Sequence, residues 1–415
     1  MIIIKQNYTL HHEKTRCTGD NMKFAQKTAH LSSAIFAQLK TKKIERLASG
    51  KEVMDFSIGT PDLPPPRHVI DVIRQEIENP DNYKYAIKDL PELTEAVIGW
   101  YQKRFGVSLE PEEITSLFGS QEGLGHIALT LVDPGDVALI PDPGYPIFHV
   151  GPMIAGARLY KMPLLRENHY LIDLDRIEST VAHQARLMIV SYPNNPVTAT
   201  APPEFYEKLI WFAKKYDIAI IHDNAYCELI FDGPPGGSIL NIPGAKDIAV
   251  EFNSLSKSYN LTGCRLAFAV GNREMIGHLK NLKSHLDYGI FLPLQKAAIA
   301  AISGPQDCIR ETVQIYRRRR DILIDGLVSL GWKVDKPPAT MFAWAPLPDG
   351  YQSSMHFALE LMDRTGVLVV PGSSFGDLGE GFVRFALVQP EEEIKKALAA
   401  IKASGMISRT QVTNT

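Results

Sequence analysis

The sequence predicts an α/β protein: a large domain built on a seven-stranded, mostly parallel, doubly wound sheet, joined to a smaller α+β domain. Three observations predict it. Between about residues 110 and 270, short apolar runs alternate with amphipathic stretches of helix length. Residues with chemical potential fall just after those runs, where ligands sit in sheets of this kind. Beyond about residue 300 the texture changes to one long charged helix, short apolar runs and a final amphipathic helix.

In chain order, residues 1–21 are polar, mixed in charge and without period, and read either as a disordered extension or as an over-called start. Met22 to Lys51 reads as helical. Gly59-Thr60-Pro61-Asp62, followed by Pro64, Pro65 and Pro66, is incompatible with a helix and marks a boundary. Seven runs then read as buried strands: Ile114–Leu117, Val137–Ile140, Ala157–Met162, Leu187–Val190, Ile218–Ile221, Ile248–Phe252 and Leu266–Val270. Segments such as Glu204–Tyr216 have the length and period of covering helices, which favours parallel pairing. Next come a charged helix around Tyr316–Leu330 with the run Arg317 to Arg320, and candidate strands Trp332–Val334, Met341–Trp344, Val367–Val370 and Phe382–Leu387. Glu391–Ser404 reads as the last helix. These elements assign residues 61–300 to the large domain, 22–60 with 301–408 to the small one, and 409–415 to a tail.

Composition excludes several functions. The 44 Lys+Arg against 47 Asp+Glu give a net charge of -3, so no broad field draws the chain to nucleic acid or an anionic membrane. Cys17, Cys227, Cys264 and Cys308 are scattered, with neither C-x-x-C nor zinc-ligand spacing. No metal site is expected, and a reducing, cytoplasmic setting is. No apolar run reaches the roughly 18 residues of a membrane span, and the start lacks a secretory core.

The chemistry lies at the strand ends. Lys257, in Asn253-Ser254-Leu255-Ser256-Lys257, follows the run Ile248–Phe252 and precedes Arg265 by eight residues. Lysine there suits an amine held beside a phosphate, although most lysines are solvated surface groups. Asp223 and Tyr226 emerge three residues apart after Ile218–Ile221. The acid can hold a pyridinium nitrogen and the phenol a ring oxygen, or the pair can be a helix cap with a core aromatic. Asn195 lies in Ser191-Tyr192-Pro193-Asn194-Asn195-Pro196, a turn signal whose amide can also bond a ring oxygen. Gly119-Ser120-Gln121-Glu122-Gly123 precedes an apolar helix. It is either a phosphate site at a helix N-terminus or a plain strand-to-helix turn. Tyr145 in Pro141-Asp142-Pro143-Gly144-Tyr145 can stack on a planar ring or fill the core. Arg384, flanked by Val383 and Phe385, needs an anion: a substrate carboxylate or a structural partner.

The order of these motifs resembles class I/II aminotransferases of pyridoxal-phosphate fold type I across nearly all of residues 22–405. The family's P-x-x-x-Y, N-P, D-x-x-Y, S-x-S-K, eight-on Arg and late Arg are all present at similar spacings. The resemblance implies pyridoxal 5′-phosphate as cofactor, held by Lys257 as a Schiff base. It implies Asp223 at the pyridine nitrogen, Asn195 and Tyr226 at the ring oxygen, and Tyr145 stacked on the ring. Ser120, Gln121, Ser254, Ser256 and Arg265 are the implied phosphate and cofactor contacts, and Arg384 and the backbone near Gly59 the substrate-carboxylate contacts. It also implies a homodimer in which a tyrosine of the other subunit reaches the phosphate; here Tyr85 is the choice and Tyr83 the alternative.

The implied reaction is ping-pong transfer of an amino group between an L-amino acid and a 2-oxo acid. The texture is most similar to the bacterial subgroup labelled LL-diaminopimelate, alanine or methionine aminotransferases, which implies LL-diaminopimelate or alanine as donor to 2-oxoglutarate. Two departures stand out. The family's N-P-T-G is Asn195-Pro196-Val197-Thr198 here, and His285 to Gln295 contains no arginine, which argues against strict aspartate specificity. Two rivals are a lyase or synthase on the same scaffold and a non-catalytic effector module. The second lacks room for a DNA-binding domain in residues 1–21.

Overall fold

The structure, a computed structural model, describes residues 25–29, 31 and 34–407. The extension expected at 1–21 and the tail at 409–415 lie outside the described residues. The described residues up to Leu31 and those from Ala34 onward belong to two units. The first contributes the short helix Gln26–Ala29, and the helix Ala34–Ala48 opens the second.

The strands among the described residues are β1 Met54–Asp55, β2 Ile114–Phe118, β3 Val137–Asp142, β4 Arg158–Pro163, β5 Ala185–Ser191, β6 Ala219–Asp223, β7 Ala249–Ser254, β8 Leu266–Gly271, β9 Phe342–Pro346, β10 Val367–Leu368, β11 Val370–Pro371 and β12 Phe382–Ala386. The seven runs predicted as strands form one sheet in the order β2-β8-β7-β6-β5-β3-β4. Strands β3 to β7 pair in parallel, and β8 is antiparallel to both β2 and β7. The connection from β7 to β8 holds only a four-residue helix and a 3-10 turn. That is too short for a parallel crossover, so the chain turns back. Strands β3, β7 and β8 are buried along their whole length, as expected where helices cover both faces.

The order reverses at β3: the chain runs outward to β4 and returns to β5 on the other side. A sheet of this kind opens a crevice at such a switch, beyond the carboxyl ends of its strands. Tyr145 and Asn195 come from loops at those ends, Asp223 closes β6 and Lys257 lies in the short helix after β7.

A second core gathers Phe56, Tyr226, Tyr316, Trp332, Phe342, Phe357 and Phe385. It packs around the antiparallel sheet β11-β12-β9 and the parallel pair β1-β10. Two expected strands differ here. Trp332–Val334 forms no ladder: the Trp332 amide closes the preceding helix on Leu327 O, and its indole Nε1 donates to Pro346 O at 2.6 Å. The run Val367–Val370 is divided, because its first two residues pair with Met54 and Asp55 while Val370 and Pro371 pair with Arg384 and Val383.

The charged helix starts earlier than expected and spans Asp307–Ser329. Its arginine run is internally matched: Arg317 meets Asp232, Arg318 meets Glu391 and Arg320 also meets Asp232. Arg319, nearly buried, forks onto both carboxylate oxygens of Asp62 at 2.7 Å each. That fork fixes the proline-rich segment beside the sheet's open end.

Candidate functional site

A cavity of about 600 Å³ opens where the two cores meet. Lys257, Asp223, Tyr226, Ser120, Gln121, Tyr145, Asn195, Ser254, Ser256, Arg265, Gly59 and Arg384 all line it.

Lys257 sits in the helix Leu255–Ser258, whose first turn is capped by the Ser254 side chain accepting from Ser256 N at 3.2 Å. Its Nζ donates to Gly59 O at 2.7 Å. Burial pushes the amine down to about 8, and the cations of Arg384 and Arg265 push the same way. Asp223 closes β6 and shows the opposite effect. Burial raises its carboxyl to about 6, against the opposing pull of His222, a backbone N–H at Ala225 and Lys257. Its Oδ1 is buried without a hydrogen-bond partner. An orphaned acceptor facing a cavity is costly in the free protein and calls for a donor.

Arg384, in mid-strand on β12, donates to Asn195 Oδ1 at 2.8 Å and to Ser57 O at 3.0 Å. Its guanidinium lies 4.1 Å from the Phe342 ring centre and 4.7 Å from that of Phe375. Burial lowers it to about 10, which leaves it a cation at neutral pH. Among the described residues no carboxylate meets it, and its buried Nε lacks a partner. Asn195 therefore positions the arginine, a tie its turn motif did not reveal. Tyr226 is pushed up by burial and stays a neutral donor.

At the other end, Ser120 and Gln121 open the helix Ser120–Leu131, and no side chain caps its first amides. Gly119 before them has φ 82°. A Cβ there would stand 2.8 Å from Arg265 Cζ, so glycine is what lets the guanidinium reach the helix N-terminus. Free amides, a helix dipole and an arginine together suit a dianion. The Tyr145 hydroxyl lies 3.1 Å from Gln121 Oε1, which fixes the ring at the cavity wall.

Tyr85 does not line this cavity. It is 84% exposed, with its ring centre 5.6 Å from that of Tyr288. The Tyr83 hydroxyl is engaged by Ile77 O at 2.9 Å.

Sequence reasoning missed Ser57, Ile58, Thr60, Ala225, Thr262, Gly263 and Phe342 on the cavity wall. The glycine of Gly59-Thr60-Pro61 was the available signal: a Cβ at Gly59 would lie 2.7 Å from the Phe342 ring. Among the described residues, Glu122, His126 and Asp287 cluster closely enough to hold a metal ion. There the Lys283 ammonium already bridges both carboxylates, at 3.1 and 3.3 Å. No described helix is long and apolar enough to cross a membrane.

The chain is 44% identical over 382 residues to an LL-diaminopimelate aminotransferase of Dehalococcoides mccartyi, covering 92% of this chain and 98% of that protein. It is 43% identical over 383 residues to the enzyme of the same name from Moorella thermoacetica, with the same coverage. Among solved structures, a probable N-succinyldiaminopimelate aminotransferase from Thermus thermophilus superposes with a TM-score of 0.85 at 35% identity, covering 89% of this chain and all of that one. The sequence pattern of the family Aminotransferase class I and II matches residues 51–401, which takes in every residue of the cavity, so the chain belongs to that family and is an aminotransferase.

Proposed function

We propose that the cavity holds pyridoxal 5′-phosphate and that the enzyme moves an amino group from LL-diaminopimelate to 2-oxoglutarate. The observation that carries this reading is the convergence of Lys257, Asp223 and Arg384. An amine eased toward its neutral form, an orphaned carboxylate oxygen and an unmatched guanidinium share one pocket. These residues fit the cofactor. Asp223 Oδ1 supplies the acceptor a ring N–H needs, Tyr226 a neutral hydroxyl, and Arg265 with the amides of Ser120 and Gln121 a dianion seat. When bound, the cofactor supplies an electron sink for the charge left at the substrate's Cα.

This chain's residues do the rest. Lys257 Nζ would hold the cofactor, and its amine is placed to carry the substrate's Cα proton. Arg384, braced by Asn195 and sandwiched by Phe342 and Phe375, orients the α-carboxylate. Tyr145 backs the ring. The roles of Ser254 and Ser256 are to hold the Lys257 turn and contribute to the phosphate end.

The substrate assignment rests on the 40–44% identity to proteins named for LL-diaminopimelate and on the lack of an arginine in residues 285–295. Exposed Tyr85, Ile87, Leu286, Tyr288 and Phe291 form an apolar patch, which supports a homodimer with Tyr85 reaching the other subunit's site. The further roles proposed are residues 61–300 as the cofactor-binding domain, 22–60 with 301–408 as a smaller partner domain, and a cytoplasmic setting.

The test is a half-reaction screen: the cofactor-loaded enzyme is mixed with single amino acids while its visible absorbance is followed. LL-diaminopimelate should give the highest specificity constant, with one 2-oxo acid per cofactor converted. Release of ammonia or an olefin in place of a 2-oxo acid would transfer the chain to the lyases. Arg384→Lys should keep the charge but lose the fork, cutting kcat/KM by roughly 10- to 100-fold, mostly through KM; steady-state kinetics at varied donor concentration reads this.

A further inference from the structure

Behind the sheet, on the face away from the cavity, lies a fully buried polar cluster that the proposed chemistry does not use. His222 and Glu251 are direct neighbours across β6 and β7, and both are 0% exposed. His222 Nδ1 lies 3.0 Å from Glu251 Oε2, and its Nε2 lies 3.1 Å from Tyr192 O. A carbonyl oxygen only accepts, so Nε2 carries a hydrogen. Glu251 accepts from Tyr101 OH at 3.0 Å and from Ile239 N at 3.0 Å. Both Glu251 oxygens thus already accept, and Nδ1 of His222, facing the same carboxylate, donates to it as well. The geometry is that of an imidazolium paired with a carboxylate.

The other titratable groups facing the pair are Tyr101 from the helix Pro91–Phe105, Tyr206 from the helix Pro203–Tyr216, Tyr192 after β5, and Cys227. Burial pushes all four upward, which keeps them neutral near pH 7. A buried ion pair is expensive and rarely repays its desolvation in stability, so its place in the fold asks for a reason.

That place is one peptide unit from Asp223. Strand alternation sends the His222 side chain to one face and the Asp223 carboxylate to the other. We propose that the His222–Glu251 pair is a charge-setting and positioning device for Asp223: Glu251 holds His222 as a cation, and that cation keeps the neighbouring carboxylate ionised at neutral pH. His222 is the first of the influences that oppose the effect of burial on Asp223. The inference builds on the role proposed for Asp223 in binding a ring N–H, because only the anion accepts that proton.

The test uses the cofactor-free protein. Asp223→Asn removes the buried carboxylate, and the pH at which the resulting gain in melting temperature stops growing reports where Asp223 ionises in the folded protein. In the parent the gain should level off near pH 6. In a Glu251→Gln background His222 loses its counter-charge, and the pH at which the gain levels off should rise by about one pH unit, a tenfold change in proton affinity. The double replacement His222→Gln/Glu251→Gln leaves no orphan charge and should show the same rise, which keeps the test available if Glu251→Gln folds poorly. A purely structural network would lower melting temperatures at every pH and leave the levelling-off point where it was, and that result overturns the proposal. No substrate or cofactor enters this measurement, so failure of the amino-transfer reading would show only in the half-reaction screen.

Discussion

Lys257→Ala is expected to lower amino transfer by on the order of 10⁴-fold, because in the roles proposed for it one substitution removes both the cofactor's attachment point and the base for the Cα proton. The visible absorbance of the loaded enzyme should vanish with it. The reasoning follows from where the amine sits. With its pKa brought down to about 8, about a tenth of it is neutral at pH 7, against a few parts in ten thousand for an unshifted lysine. Burial provides most of that change, and the cations at Arg384 and Arg265 add to it. Near-normal turnover by Lys257→Ala would remove this lysine from the mechanism.

Asp223→Asn should act in opposite directions on rate and on stability. The amide cannot balance a ring cation, so transfer should fall by roughly 10²- to 10³-fold, as when a preorganised electrostatic partner is lost. The cofactor-free protein should become more stable. The Asp223 carboxyl is raised from 3.8 to about 6 in the folded state, so between those values the folded chain binds more protons than the unfolded one. Stability accordingly falls as pH rises through that window, and the full penalty persists above it. It amounts to on the order of 3 kcal/mol. The substitution should therefore raise the melting temperature by a few degrees at pH 8 and leave it unchanged below about pH 4. Melting curves at the two pH values check this, and equal gains at both would locate the cost elsewhere than in the carboxylate.

Much of this was legible in the sequence, for a physical reason. Each of the seven central strands is an apolar run whose period and length are local properties. The groups at their ends, such as Asp223 after β6 and Lys257 after β7, stay attached to their strand in any packing. The ends of the runs were less legible: β5 begins at Ala185 rather than Leu187 and extends to Ser191. What local pattern does not carry was missed. Phe342 stacks on Arg384 only because β9 and β12 pair, and the division of Val367–Val370 reflects two partners far apart in sequence. Trp332–Val334 has the composition of a strand, yet its tryptophan amide is taken by a helix end. Asn195 was read for a ring oxygen, and its bond to Arg384 depends on a strand 189 residues away.

The segment from Ser57 to Asp62 receives three cations from distant parts of the chain: Arg384 on the Ser57 carbonyl, Lys257 on the Gly59 carbonyl and Arg319 on the Asp62 carboxylate. Groups that share a partner are coupled energetically. Lys257, Arg319 and Arg384 thus form a thermodynamic unit with a common acceptor strip, and the free energies measured for single substitutions at these positions do not sum. A change at Arg319, outside the cavity wall, is expected to register at the reactive amine through the four residues Gly59 to Asp62.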